Sequence, residues 1–263
     1  MSFVPAAGNP ADTTIHTDAD GLAHGVFDLP VHDGSISAYY AAPQGRTGLP
    51  VVLVVQEIFG VHEHIKDICR RLAKAGYLAV APELYQRQGD AAAYTDVPKL
   101  IQEIVAKVPD EQVYADLDAS LAWAEQNGGD TRRAGITGFC WGGRLTWMYA
   151  ARNPAIKAGV AWYGKLSTGH GPLIKQVVLD VAADLQGPVL GLYGGKDASI
   201  PLEDVDALKA TLAQGNAAAR ASEVVVYPDA GHGFLADYRP MYRAADARDG
   251  WQRMLDWFQR HLA

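Results

Sequence analysis

Five consecutive apolar residues, Val51-Val52-Leu53-Val54-Val55, constrain this chain more than any other stretch of it. A strand with one face in water alternates polar and apolar side chains. One that is apolar throughout must be covered on both faces, as in the centre of a parallel sheet flanked by helices. The following residues agree. Between Glu63 and Ala75 the side chains Ile65, Ile68, Cys69 and Leu72 recur at helical spacing, and Gly76 is placed to end the helix. Tyr77 to Pro82 predicts a second buried strand. The alternation continues with a helix over about 111–127, a strand over 134–139, a helix over 142–152 and a strand over 158–163. Strands at 187–193 and 223–227 frame a helix at about 202–214, and a last helix runs over about 244–262. Such a pattern predicts an α/β fold with a mostly parallel central sheet.

Ahead of that alternation, Val26–Pro30 and Ser35–Tyr40 flank Asp33-Gly34, a turn pair, and predict a hairpin near the sheet edge. Residues 1–25 are polar and aperiodic, so they are expected to form an N-terminal extension to one domain over 26–263. Stretches 84–110 and 164–185 stay open between loop and short helix, and both fall where such folds place loops over a site. A chain of 263 residues suits one large domain. With 23 basic and 30 acidic side chains the net charge is −7, which argues against a general nucleic-acid binder. No apolar run approaches the roughly 18 residues of a membrane span. The opening MSFVPAAGNP has neither half of a secretion signal. Two cysteines, Cys69 and Cys140, are too few for a disulfide scaffold and fit a reducing compartment, so a cytoplasmic location is expected.

Chemistry concentrates in Gly138-Phe139-Cys140-Trp141-Gly142-Gly143, between a predicted strand and a predicted helix. This is the form glycine–x–nucleophile–x–glycine, with cysteine where serine is commoner. Small residues two positions away let strand and helix approach. The turn then lifts the central side chain above the sheet, facing N–H groups of the helix start. The competing reading is packing, since cysteine is among the most buried residue types; it suits Cys69, on the apolar side of its helix. A phosphate loop fits poorly, because the Lys-Ser/Thr of a P-loop is missing.

If Cys140 attacks, an acid and then a histidine should follow along the chain. Asp197 lies in Gly194-Gly195-Lys196-Asp197 and His232 in Gly231-His232-Gly233-Phe234, each just past a predicted strand. In an open parallel sheet those carboxyl ends are where ligands bind. His232 would accept or share the thiol proton and Asp197 would orient its ring. His62 and His64 are two apart, not the four of a helical metal pair, and no metal or other cofactor is expected. Gln56-Glu57-Ile58-Phe59-Gly60 ends the first central strand at the same edge. Glu57 there is either a solvated charge or a partly buried carboxylate. The backbone N–H of Ile58 is placed to pair with that of Trp141 as a two-donor oxyanion hole.

With these segments and Ala81-Pro82-Glu83-Leu84-Tyr85, the chain resembles the dienelactone hydrolase (carboxymethylenebutenolidase) family of cysteine α/β-hydrolases, over roughly residues 25–262. The resemblance implies Cys140, Asp197 and His232 as the triad and Ile58 and Trp141 as oxyanion donors. It implies that Glu57 holds the resting thiol in a poorly reactive form until substrate binds. Arg87 falls on a position that helps bind a substrate carboxylate, and Tyr85 and Tyr163 on aromatic positions near the pocket. A second arginine of the family pattern is Ala236 here, with Arg239 three residues further on.

The implied partner is a small ester or lactone, in some cases carboxylate-bearing. A thiolate adds readily but also departs readily, so an enolate leaving group suits Cys140 better than an ordinary alkoxide. Activated lactones are therefore the expected substrates. A broader esterase or thioesterase is the alternative, and a catalytically silent ligand- or protein-binding scaffold the alternative outside enzymes. Oligomeric state has no signature in the sequence.

Overall fold

The computed structural model describes residues 5–8 and 11–263. Eight strands form one sheet: β1 (Leu22–Val31), β2 (Gly34–Pro43), β3 (Leu49–Val55), β4 (Leu78–Pro82), β5 (Gly129–Phe139), β6 (Ile156–Trp162), β7 (Val189–Gly194) and β8 (Glu223–Tyr227). Their spatial order is β1-β2-β4-β3-β5-β6-β7-β8. The first hairpin pairs antiparallel internally and onto β4, and every other pairing is parallel. Among the described residues this is an α/β-hydrolase fold in one domain.

The helices are α1 (Glu63–Lys74), α2 (Val97–Glu103), α3 (Asp110–Gln126), α4 (Trp141–Arg152), α5 (Val178–Val181), α6 (Leu202–Gln214), α7 (Ala217–Arg220) and α8 (Ala244–Leu262). Arg71 of α1 lies over Trp251 of α8, and Tyr149 of α4 donates to Asp118 of α3, so the helices pack in neighbouring pairs. Val51 to Val55 are fully buried, as their unbroken apolar run requires. The short α2 and α5 occupy the two stretches left open by the sequence.

Two expectations need correction. The hairpin is longer than read, because β1 begins at Leu22 and pairs with β2 as far as Pro43. The boundary at residue 25 therefore cuts through a strand. The residues before it are also tied to the domain: Thr17 N–H donates to Asp67 at 2.6 Å and the Thr13 hydroxyl to the backbone of Asp237 at 2.6 Å. A polar segment held by side-chain oxygens leaves no hydrophobic period to read. Residues 1–4 and 9–10 of the expected extension lie outside the described residues. No helix among the described residues is long and apolar enough to cross a membrane.

The chain steps from β3 to β4 on one side and then to β5 on the other side of β3. Carboxyl ends diverge at such a switch point and leave a crevice, the usual ligand position of open α/β sheets. The loop Gln56–Gly60 leaves β3 there and Cys140 leaves β5.

Candidate active site

Cys140 sits between Phe139, the last residue of β5, and Trp141, the first of α4, with φ 55° and ψ −111°. That backbone conformation costs a non-glycine residue roughly 1–3 kcal/mol, and it persists only where the surroundings enforce it. Here they do. A Cβ on Gly138 would stand 2.2 Å from the carbonyl oxygen of Gly142, and one on Gly142 would stand 2.5 Å from the carbonyls of Val55 and Gln56. Gly143 meets the carbonyl of Trp162 in the same way, at 2.3 Å. Three glycines thus let β5, α4 and the ends of β3 and β6 close on one turn, and Cys140 N–H donates to Trp162 at 3.0 Å.

Sγ of Cys140 lies 3.0 Å from Nε2 of His232, whose Nδ1 lies 2.7 Å from Oδ2 of Asp197. Backbone contacts bring the last two together across 35 residues of sequence. Gly195 N–H donates to Tyr227 and Lys196 N–H to Ala230, both at 2.8 Å, so the loop after β7 rides on the loop after β8. Asp197 is buried, and its other oxygen accepts from the Ser199 N–H at 2.9 Å and hydroxyl at 2.7 Å. Burial acts to raise its pKa, but hydrogen bonding and charge from His232, then the Ser199 donors, outweigh it and hold the carboxyl below its ordinary value. Burial likewise disfavours a charged His232. The negative sulfur and the Asp197 contact prevail, pushing the imidazole up to about 10. An imidazolium at His232, facing the partly exposed sulfur at 3.0 Å, is the state this arrangement favours.

Trp141, as the first residue of α4, has an N–H with no acceptor inside the helix, and Ile58 lies in the loop packed on the elbow. Tyr85 packs its ring 4.8 Å from that of Trp141; Tyr163, at φ 39°, sets its edge 5.2 Å from His232. The buried Tyr163 hydroxyl has no hydrogen-bond partner among the described residues. Glu57 is buried, and Oε2 accepts from the Tyr238 hydroxyl at 2.6 Å with His62 Nε2 at 3.7 Å. Burial opposes its charge, yet contact with His62, the potential of His64 and His62 and the Tyr238 bond bring it down to about 2. Burial also lowers His62, against the hydrogen bonding and charge of Glu57, which act to raise it. These directions compete, and the short Tyr238 bond favours the anion at Glu57.

Arg87 is engaged away from this cluster. Its guanidinium forks onto Asp33 at 2.6 and 2.7 Å and onto Asp116 at 2.8 and 3.0 Å, joining the hairpin turn to α3. Four of its five N–H groups are held by these two carboxylates, which leaves one for any further acceptor and no fork for a bidentate one. The sequence suggested that role because it shows the arginine and not the acids it faces. Ala236 is buried, whereas Arg239 is partly exposed with its guanidinium 5.3 Å over the ring of Phe59. Ser199 and Tyr238 were missed by sequence reasoning. Asp197-Ala198-Ser199 does carry an Asx-turn pattern that points to Ser199; nothing local points to Tyr238.

Residues 36–262 match the model of the dienelactone hydrolase family. A Salmonella typhimurium protein named "Putative carboxymethylenebutenolidase" is 57% identical over 260 residues, covering 98% of this chain and 95% of that one. A Bradyrhizobium protein named "Probable 2-oxo-3-(5-oxofuran-2-ylidene)propanoate lactonase" is 32% identical over 240 residues, 89% of this chain and 93% of that one. The crystal structure titled "Putative Dienelactone Hydrolase" from Klebsiella pneumoniae superposes with a TM-score of 0.86 at 54% identity, covering 92% of this chain and all of that one. With the family pattern spanning nearly all of the folded chain, this protein belongs to the dienelactone hydrolase family of α/β-hydrolases.

Proposed function

We propose that the protein hydrolyses activated carboxylic esters, enol lactones above all, through Cys140, His232 and Asp197. The observation that carries this reading is the 3.0 Å contact between Sγ and the His232 ring on a strained elbow. The thiolate attacks the carbonyl carbon, and the oxyanion forms toward the N–H groups of Ile58 and Trp141, each such donor contributing roughly 3 kcal/mol to the rate. The carbon–oxygen bond of the ester breaks, the enolate departs with a proton from His232, and a thioester remains. Water, deprotonated by His232, adds to the thioester, and the sulfur leaves as thiolate while the acid is released. No step asks for a metal or organic cofactor. The test is intact-mass detection of the acyl-enzyme together with a substrate panel. Turnover of an enol lactone far above that of a matched amide supports the reading, and equal turnover of both overturns it.

The cysteines provide an independent check. Cys69 is fully buried, and burial pushes its thiol far above the usual range. A limiting amount of iodoacetamide at pH 7 should therefore modify Cys140 first, by at least about a hundredfold in rate. Peptide mapping that finds equal labelling would remove Cys140 from the mechanism.

Arg239 offers a free cation at the site. No carboxylate among the described residues pairs with its guanidinium, and its charge reaches the hydroxyls of Tyr163 and Tyr238. The lactone in the Bradyrhizobium protein's name carries a propanoate carboxylate. Arg239→Ala should raise KM about 10–100-fold for a carboxylate-bearing lactone, the worth of one charge-assisted hydrogen bond. A neutral ester should be little affected. Equal losses on both substrates would assign Arg239 a packing role instead.

A further inference from the structure

Beneath the elbow, Glu57 belongs to a buried chain of polar groups that the proposed chemistry does not use. Its Oε2 accepts from Tyr238 at 2.6 Å and faces His62 at 3.7 Å, with both members of the His62 pair almost wholly out of water. The Tyr238 ring packs 5.0 Å from His62 and 5.0 Å from His64. His64 continues to Asp237 at 3.2 Å, and Asp237 to Arg71 at 2.5 Å. Arg71 and Arg70 share Asp67, and Arg70 reaches Glu63 at 2.6 Å. The result links the start of α1 to the loop that follows His232.

Glu57 and Cys140 share one neighbourhood. The backbone at Gln56 packs against Gly142 of the elbow, and the hydroxyls of Tyr85 and Tyr163 feel the charges of both Glu57 and Cys140. The titratable groups that face Glu57 are His62 and His64 from α1 and its N-cap, Tyr85 after β4, Tyr163 after β6 and Tyr238 after His232; Cys140 acts on the same Tyr85 and Tyr163, and Arg239 on Tyr163 and Tyr238. In this structure the Sγ hydrogen bond goes to His232, and Glu57 is hydrogen-bonded to Tyr238 instead.

We infer that His62 is a positioning residue: together with Tyr238 it keeps Glu57 an anion held aside, leaving the sulfur of Cys140 to face His232. A carboxylate without such partners in a buried site protonates, because desolvation raises its pKa by up to about 3–5 units. A protonated Glu57 could then donate to the sulfur and quench it. The inference rests on Cys140 as nucleophile and adds the group that controls its buried acidic neighbour. His62 works through Glu57 and touches no reacting atom.

The experiment measures the alkylation rate of Cys140 against pH, with the modified site located by mass, in wild type, His62→Leu, His62→Gln and His62→Leu/Glu57→Gln. Wild type should react with no carboxyl ionisation between pH 5 and 8. His62→Leu should gain one there, reacting about tenfold more slowly than wild type at pH 6 and nearly equally at pH 8, as the rise of several units expected of a buried carboxyl that loses its partner requires. His62→Gln retains an N–H donor and should recover the wild-type profile. The double variant should lose the new ionisation, since no acid remains at position 57. If His62→Leu reacts in parallel with wild type at all pH values, or if the double variant keeps the new limb, the inference is wrong. An unreactive Cys140 in the wild-type protein would instead remove the nucleophile reading itself. Should His62→Leu fail to fold, a normally folded His62→Gln with the new limb would overturn the N–H donor role.

Discussion

Cys140→Ala lowers kcat/KM for an enol lactone on the order of 10⁴–10⁶-fold, the scale on which loss of a covalent nucleophile costs an enzyme that forms an acyl intermediate. Residual turnover comes from binding and from oxyanion donors that need no sulfur. The fold should survive, because the elbow conformation is enforced by three glycines and the carbonyls they meet rather than by the side chain. Alanine at φ 55° is no worse placed than cysteine. A second signature accompanies the loss. The sulfur's charge and hydrogen bond help raise His232 to about 10, so in Cys140→Ala the imidazole should titrate clearly lower. Lactone turnover by steady-state kinetics and the ring pKa by NMR check both parts. Normal hydrolysis by Cys140→Ala would end the assignment.

His232→Ala is expected to cost about 10⁴-fold, since it removes both the proton donor to the enolate and the base that activates water. The alkylation rate of Cys140 at pH 7 should fall with it, because the thiolate loses the imidazolium that faces it at 3.0 Å. In wild type, activity should decline as pH rises through about 10, where His232 gives up its proton. The same group gives a sign for stability. Its folded value lies above the unfolded value of about 6.5, so its contribution is complete below about pH 6.5 and disappears as pH rises through 10. Wild type and His232→Ala should therefore differ more in Tm at pH 6 than near pH 10. A variant that still alkylates at the wild-type rate would show that His232 does not control the sulfur.

Much of this site is legible one segment at a time. Val51–Val55 announces a central strand because two-sided burial leaves no polar position, and Gly138-x-Cys140-x-Gly142 announces a sharp turn because only small residues allow the approach. Asp197 and His232 follow because strand ends in a parallel sheet meet at one edge. What the segments leave out has a common cause. The resemblance gave Arg87 a carboxylate-binding position, and it could not show that Asp33 and Asp116, 54 and 29 residues away in sequence, hold the guanidinium. His62 was weighed only as a metal ligand, and its contact with Glu57 depends on how the loop after β3 turns into α1.

What the chain's residues determined unaided is the layered sheet, the order of its strands and helices along the chain, and the three positions to which the proposed chemistry is assigned. These follow from hydrophobic period and turn chemistry, which act over a few residues. Tertiary structure alone decided which charges are free. Arg87 is paired with two carboxylates, Arg239 meets no carboxylate among the described residues, and Glu57 is bonded to Tyr238 across 181 residues. The physical reason is that a charge in a folded protein is set by whatever packs against it in space. Those neighbours arrive from strand ends and loops that no local pattern connects.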